Sequence, residues 1–251
     1  TALVPYATKS SVVSATATDS NATIEGTGNF EFSNYGTTVN TKNITVKAKN
    51  CNSKYASVLN NTCTTNTYKI DVSREDPSSN TNLKEILING TKITGFSSLI
   101  TDYTLDNVDN DVTSINVNAT VEDTGKATIT TTLGNKSLNV GDNEIIITVK
   151  AEDGSTKDYK VKVRRLSSDS KLSSLNITST PAGTLSPAFT STFYDYYTYT
   201  APSTATKVQI NGIVNDTLNA KIISGNGEYE IDTTPSVNIV VQAEDGSTSI
   251  Y

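Results

Sequence analysis

Apolar and polar residues alternate in short runs along this chain, as in Ile115-Asn116-Val117-Asn118-Ala119 and Lys207-Val208-Gln209-Ile210, with Gly or Pro falling between the runs. Alternation predicts β-strands with one face turned to a core, and no long segment carries a helical period. The sharpest pattern is Val149-Lys150-Ala151-Glu152-Asp153-Gly154-Ser155-Thr156 with Tyr159 behind it. It returns as Val241-Gln242-Ala243-Glu244-Asp245-Gly246-Ser247-Thr248 with Tyr251. An alternating run, an Asp-Gly turn and a second alternating run predict a β-hairpin, and its recurrence predicts a tandem array.

A degenerate third copy lies upstream. Ile44-Thr45-Val46-Lys47-Ala48 enters its hairpin and Thr67-Tyr68-Lys69-Ile70-Asp71-Val72 leaves it, so Tyr68, Tyr159 and Tyr251 are equivalent positions. Asp19, Asp123 and Asp216 recur in step, each shortly before Ala22, Ala127 or Ala220. Copies of roughly ninety residues have the size of one small β-sandwich. The expected fold class is all-β, with three tandem antiparallel β-sandwich modules over 1–76, 77–167 and 168–251. With a hydrophobic fraction of 35%, each module buries a thin core between two facing sheets.

The middle copy opens with Leu83-Lys84-Glu85-Ile86-Leu87-Ile88 and the last with Leu172-Ser173-Ser174-Leu175-Asn176-Ile177. The first copy has no such opening, and Tyr251 stops where its equivalents continue as Lys160-Val161-Lys162-Val163 or Lys69-Ile70-Asp71-Val72. The first and last modules are therefore expected to be incomplete at the chain ends, as in a window cut from a longer chain. The alternative is that neighbouring protomers donate the missing strands.

The order Leu-x-x-Leu-x-Ile, Phe, Asp102-Tyr103-Thr104, Asp before Ala-x-Ile, Gly141-Asp142-Asn143-Glu144-Ile145, then Val-x-Ala-Glu-Asp-Gly-Ser-Thr-x-x-Tyr resembles the cadherin-like β-sandwich domain of bacterial cell-surface proteins. The resemblance covers essentially the whole chain and is weakest in the first copy. It implies an immunoglobulin-like sandwich used in tandem outside the cell. It transfers no catalytic residues and no cofactor.

Cys51 and Cys63 stand at the shoulders of a long insertion in the first hairpin, near Asn60. A disulfide between them would close that loop and needs an oxidising compartment, with two unpaired thiols as the alternative. The expected location is the extracellular cell surface. A net charge of −6 excludes a basic nucleic-acid face, and no membrane span is visible in the sequence. The adjacent pair Arg164-Arg165 falls between the second and third copies, where a solvated contact with the neighbouring module explains it.

The absence of histidine removes Ser-His and Cys-His nucleophiles and most catalytic zinc sites, so the segment is not expected to be an enzyme. Asp106, Asp109 and Asp111 form a calcium candidate, set against an ordinary solvated acidic turn. Tyr194, Tyr196 and Tyr199 form a candidate contact surface for a glycan or protein partner, set against ordinary edge packing, while Tyr197 belongs to the core. The eight Asn-x-Ser/Thr triplets match the roughly seven that this composition gives by chance, so they identify no glycosylation.

The expected function is a structural segment of a long extracellular fibre, stalk or adhesin. Its partners are further modules of the same chain, and a semi-rigid rod follows from the short linkers. A glycan- or protein-binding module is the second reading, and a laterally assembled sheath or filament, with other copies as partners, is the third.

Overall fold

The computed structural model describes residues 1–49, 64–192, 196–234 and 236–251. The chain divides into two compact units, Thr1–Asn80 with Ala151–Ser155, and Thr81–Lys150 with Thr156–Tyr251. Among the described residues there is no α-helix, and the architecture is all-β.

The first unit contains β1 (Ala2–Val4), β2 (Ser10–Val13), β3 (Thr23–Glu25), β4 (Gly28–Glu31), β5 (Asn40–Lys47) and β6 (Thr65–Arg74). One sheet has the order β1-β6-β5-β3, and β2 pairs with β4 in a second. The hairpin β5/β6 sets Asn40 opposite Val72 and Ile44 opposite Tyr68, and β1 joins β6 in parallel. Its core cluster is small: Phe30, Phe32 and Val72 are buried, with Val4, Val13 and Ile70 packed against them. The Phe30 and Phe32 rings meet edge to face, 4.9 Å between centroids.

In the second unit, β7 (Leu83–Ile88), β8 (Thr91–Lys92), β9 (Asp102–Thr104), β10 (Ser114–Val121), β11 (Thr128–Ile129), β12 (Gly134–Ser137), β13 (Gly141–Lys150) and β14 (Thr156–Arg165) build two four-stranded sheets. Their orders are β12-β10-β7-β8 and β11-β13-β14-β9. The inward residues of both sheets, including Leu83, Ile86, Val117, Ile147, Tyr159 and Val161, form one cluster. Strict alternation along β13 and β14 places Ile147, Tyr159 and Val161 on the inward face of their sheet, as the sequence pattern requires.

The same unit continues with β15 (Leu172–Ser179), β16 (Thr184–Ser186), β17 (Thr198–Thr200), β18 (Lys207–Val214), β19 (Lys221–Ser224), β20 (Gly227–Glu230), β21 (Val240–Gln242) and β22 (Thr248–Ile250). Their sheets are β15-β18-β20, β19-β21-β22 and β16-β17. A second cluster forms around Leu172, Leu175, Ile210, Ile239 and Val241. Whereas β9 joins β14 in parallel, β17 pairs antiparallel with β16.

Side-chain hydrogen bonds repeat with the strands. Asn40 accepts from Asn34 N and donates to the carbonyls of Asn34 and Val72; Asn143 does the same with Asn139 and Val163. Arg74 donates to the carbonyls of Tyr6 and Phe32, and Arg165 to those of Asn110 and Leu138. Backbone carbonyls at strand ends inside a thin sandwich need such donors, because leaving them unpaired and buried is costly. Both Asp-Gly turns close alike: Ala151 N donates to Ser155 O and Ala243 N to Ser247 O, and Gly154 and Gly246 take positive φ of 92° and 87°.

Candidate functional site

The three repeat tyrosines show what each copy builds around its hairpin. Tyr159 lies opposite Ile147 across β13/β14, and Tyr251 exchanges both backbone hydrogen bonds with Ile239. The Tyr159 hydroxyl accepts from Leu83 N at 3.1 Å and donates to Ser98 O at 2.8 Å. The Tyr251 hydroxyl likewise accepts from Leu172 N at 2.9 Å and donates to Ser191 O at 3.4 Å. Each ring thus pins the first residue of the opening strand to the closing hairpin. A second tyrosine in each, Tyr103 or Tyr197, is fastened by its hydroxyl to Ser97 or Thr190 and packs near Phe96 or Phe189.

Tyr68 occupies the same register opposite Ile44, yet its surroundings differ. Tyr159 is 0% exposed and Tyr68 is 58% exposed. The expectation that all three rings share one environment therefore fails for Tyr68. The cause is visible in the sheet partners. The strand β10 is held between β12 and β7, and β18 between β20 and β15, but β2 pairs only with β4 among the described residues.

A cleft of about 620 Å³ opens at this place, lined by Ala15, Ala17, Ala22, Ile44, Val46 and Tyr68 among others. Its register can be read from the closing bonds. Phe32 N donates to Lys9 O as Leu138 N donates to Thr113 O, which sets Val13, Ala15 and Ala17 at the places of Val117, Ala119 and Val121. Those three residues face Ile88, Ile86 and Leu83 of β7. Residues 14–17 belong to no strand, whereas their counterparts 118–121 continue β10.

The residues singled out in the sequence are not gathered in one place. Tyr194, Cys51 and Cys63 lie outside the described residues. Tyr196 is 87% exposed. Tyr199, read from sequence as outward-facing, is half-buried, and its hydroxyl lies 3.0 Å from Ser179 Oγ and accepts from Gly183 N at 2.8 Å. The β16/β17 ladder sets Tyr199 opposite Leu185 and brings its hydroxyl to Gly183 and to Ser179 at the end of β15. Asp106, Asp109 and Asp111 are each exposed, and among the described residues no group of acidic or other ligating side chains is gathered to hold a metal ion. Between them, Asn110 donates to Leu166 O at 2.9 Å.

One polar cluster was not read as a unit from the sequence. Arg164 donates to Glu244 at 2.7 Å, Asp142 at 2.8 Å and Asn219 at 2.8 Å. The second Glu244 oxygen accepts from Ser167 N at 3.0 Å, and Asp245 N donates to Ser167 O. The Arg164 guanidinium holds the Glu244 carboxyl below its ordinary range, assisted by Ser167 N, and hydrogen bonding from the Ser167 side chain does the same for Asp216, assisted by Asn219. Arg164-Arg165 is thus two devices, a clamp on the following turn and a carbonyl cap. The signal for the division was available, since the same register in the first copy reads Ser73-Arg74 and keeps only the cap. In the first unit, Glu152 accepts from Ser78 N at 3.0 Å, and Asp153 N donates to Ser78 O. The two Glu-Asp turns therefore clasp a preceding serine in the same way.

No curated protein matches the chain. Solved structures that it resembles include Protocadherin Gamma B7 extracellular cadherin domains 1-4, at 11% identity and TM-score 0.29, covering 100% of this chain and 72% of that one. The Protocadherin GammaB4 extracellular domain is 11% identical with TM-score 0.31, covering 100% of this chain and 47% of the other. The human Desmocollin-1 ectodomain is 9% identical with TM-score 0.28, over 97% and 50% of the respective chains. Among family models, the one described as Cadherin-like beta sandwich domain matches residues 79–166, the segment whose two four-stranded sheets close around Tyr159.

Proposed function

We propose that this chain is an extracellular structural or adhesive segment, built from three β-sandwich copies over 1–76, 77–167 and 168–251, and that it belongs to a fibre, stalk or surface adhesin. It spaces and transmits load and carries out no catalysis. The observation that carries the reading is the repeated clasp of a Glu-Asp turn on a preceding serine, Glu152 on Ser78 and Glu244 on Ser167. In the second case the clasp is reinforced by Arg164 from the end of β14. The Arg164 bond ties the end of the second copy's last strand to the turn of the third, which suits a segment whose task is continuity. The match of residues 79–166 to a cadherin-like domain supports an extracellular adhesive or structural role.

The reading is tested by single-molecule pulling on the chain held at its two ends. Three unfolding events are expected, each releasing about 30 nm of contour length, from roughly 85 residues at ~3.5 Å each. One event, or a continuous extension without peaks, would refute both the module count and the load-bearing role. Glycan or protein binding is a second reading, favoured by the exposure of Tyr196. A glycan array on which saturable binding disappears with Tyr196→Ala would replace spacing by recognition.

A further inference from the structure

We propose that one sheet in each copy of the second unit is an N-glycosylated face. Its acceptors are Asn89, Asn118 and Asn135, within or beside the strands of β12-β10-β7-β8, and Asn176 and Asn215, within or beside those of β15-β18-β20. The number of Asn-x-Ser/Thr triplets decides nothing, but their placement in the fold does. All seven described triplet asparagines are exposed. The seven described asparagines that are buried or half-buried include Asn40, Asn110, Asn143 and Asn219, and none of the seven has Ser or Thr two residues on. Those four amides are spent on backbone carbonyls or a neighbouring carboxylate, and a glycan there would have no room in a packed interior.

A second observation is independent of burial. The facing sheets, β11-β13-β14-β9 and β19-β21-β22, hold no triplet in their strands. Outward positions of β13, β14 and β9 carry the ion pairs Lys160–Glu144, Lys162–Asp102 and Arg164–Asp142 instead. Strand period explains how a triplet fits the other sheet. Asn and the hydroxyl residue two places on share the outward face, while the residue between them packs inward, as Ala119 and Ile177 do. The amides also keep a free N–H. Asn89 and Asn135 accept from Asn116 through Oδ1, and Asn118 and Asn215 donate one bond each, to Asn116 and Asp169. In the transfer, Nδ2 attacks C1 of a polyprenyl-phosphate-linked glycan. The Nδ2–C1 bond forms, the C1–O bond breaks, the lipid phosphate leaves with its electron pair, and the displaced amide proton passes to a carboxylate base of the transferase.

The inference rests on the extracellular part of the proposed function and not on the load-bearing role. A chain recovered outside the cell with bare asparagines keeps that function and loses this inference. The test is peptide mass spectrometry, with fragmentation that preserves the glycan, on the chain isolated from the cells that make it. The deciding acceptors are Asn118 in β10 and Asn176 in β15, the ones inside the longest strands of the two sheets. Glycan is expected on both, and none on Asn40 or Asn143. Thr178→Val, made in the same cells, keeps a β-branched side chain at an exposed strand position and removes the hydroxyl. It is expected to abolish the glycan on Asn176 and leave that on Asn118 in place. Any of three results overturns the proposal: a bare Asn118 or Asn176 in the exported chain, glycan on Asn40 or Asn143, or an Asn176 still modified in the Thr178→Val chain.

Discussion

Tyr159 and Tyr68 sit at the same register in hairpins of the same construction, and one is sealed in a core while the other faces solvent. The hairpins do not explain the difference. Ile147 and Ile44 stand opposite the two rings, and the clasps Asn143 and Asn40 lie four residues upstream of those isoleucines, bonded in the same way. What differs is the strand across the sandwich. Leu83 supplies both cover and a backbone donor for Tyr159, and nothing among the described residues does so for Tyr68. A repeat position therefore fixes where a side chain points, and the facing sheet fixes what that side chain is worth.

The largest effect should separate the two rings. Tyr159→Ala removes a fully buried aromatic and both of its hydrogen bonds, with an expected loss of about 3–5 kcal/mol. Tyr68→Ala should change stability by no more than about 0.5 kcal/mol. Native-state hydrogen exchange of β14 in the first variant and β6 in the second measures both. Similar losses would mean that Tyr68 is buried in solution and that the contrast is false.

The next effect should unite the copies. Asn40→Ala and Asn143→Ala each strip a backbone clasp and are expected to cost about 1–2 kcal/mol, the buried Asn40 at the upper end. Denaturant unfolding followed by exchange at β5 and β13 tests whether the two clasps are equivalent. A loss at one and none at the other would break the structural repeat where the register predicts it to be strongest.

The smallest effect concerns the Arg164 clamp, which has no counterpart at Ser73 among the described residues. The carboxyls of Glu244 and Asp216 are held below their ordinary range in the folded chain, so the unfolded chain takes up protons first as the pH falls. Their stabilisation is complete above the ordinary carboxylate range and is lost as pH drops through it and below. Arg164→Ala should flatten that acid dependence in melting curves recorded across a pH series, lowering Tm modestly near neutrality and converging on the parent chain in acid, where the carboxyls are protonated in both. An unchanged acid slope would show that the carboxyls are held by their serine and asparagine partners alone.

Much of this was legible along the chain because it is set by near neighbours. Alternation fixed the strand faces, and the Asp-Gly turns are closed as their residues require, with Asp153 and Asp245 bonded to Ser155 and Ser247. Tyr199 is outward-facing in the sequence reading although alternation sets it on the face of Tyr197, and its hydroxyl is taken by Ser179 at the end of β15 and by Gly183 beside the β16/β17 hairpin, whose pairing the local pattern does not specify. Arg164 reads as a solvated contact with the neighbouring module, but its particular partners Glu244 and Asn219 stand too far along the chain for the local pattern to name them.

The sequence by itself determined an all-β chain, the hairpins, their register and the positions that recur, because each follows from a strand period and a turn of a few residues. Only the tertiary structure decided which of the recurring tyrosines is buried, which arginine caps and which clamps, and where a strand-wide cleft remains. Those properties depend on what stands across the sandwich, and burial is created by the facing sheet, which no local pattern contains.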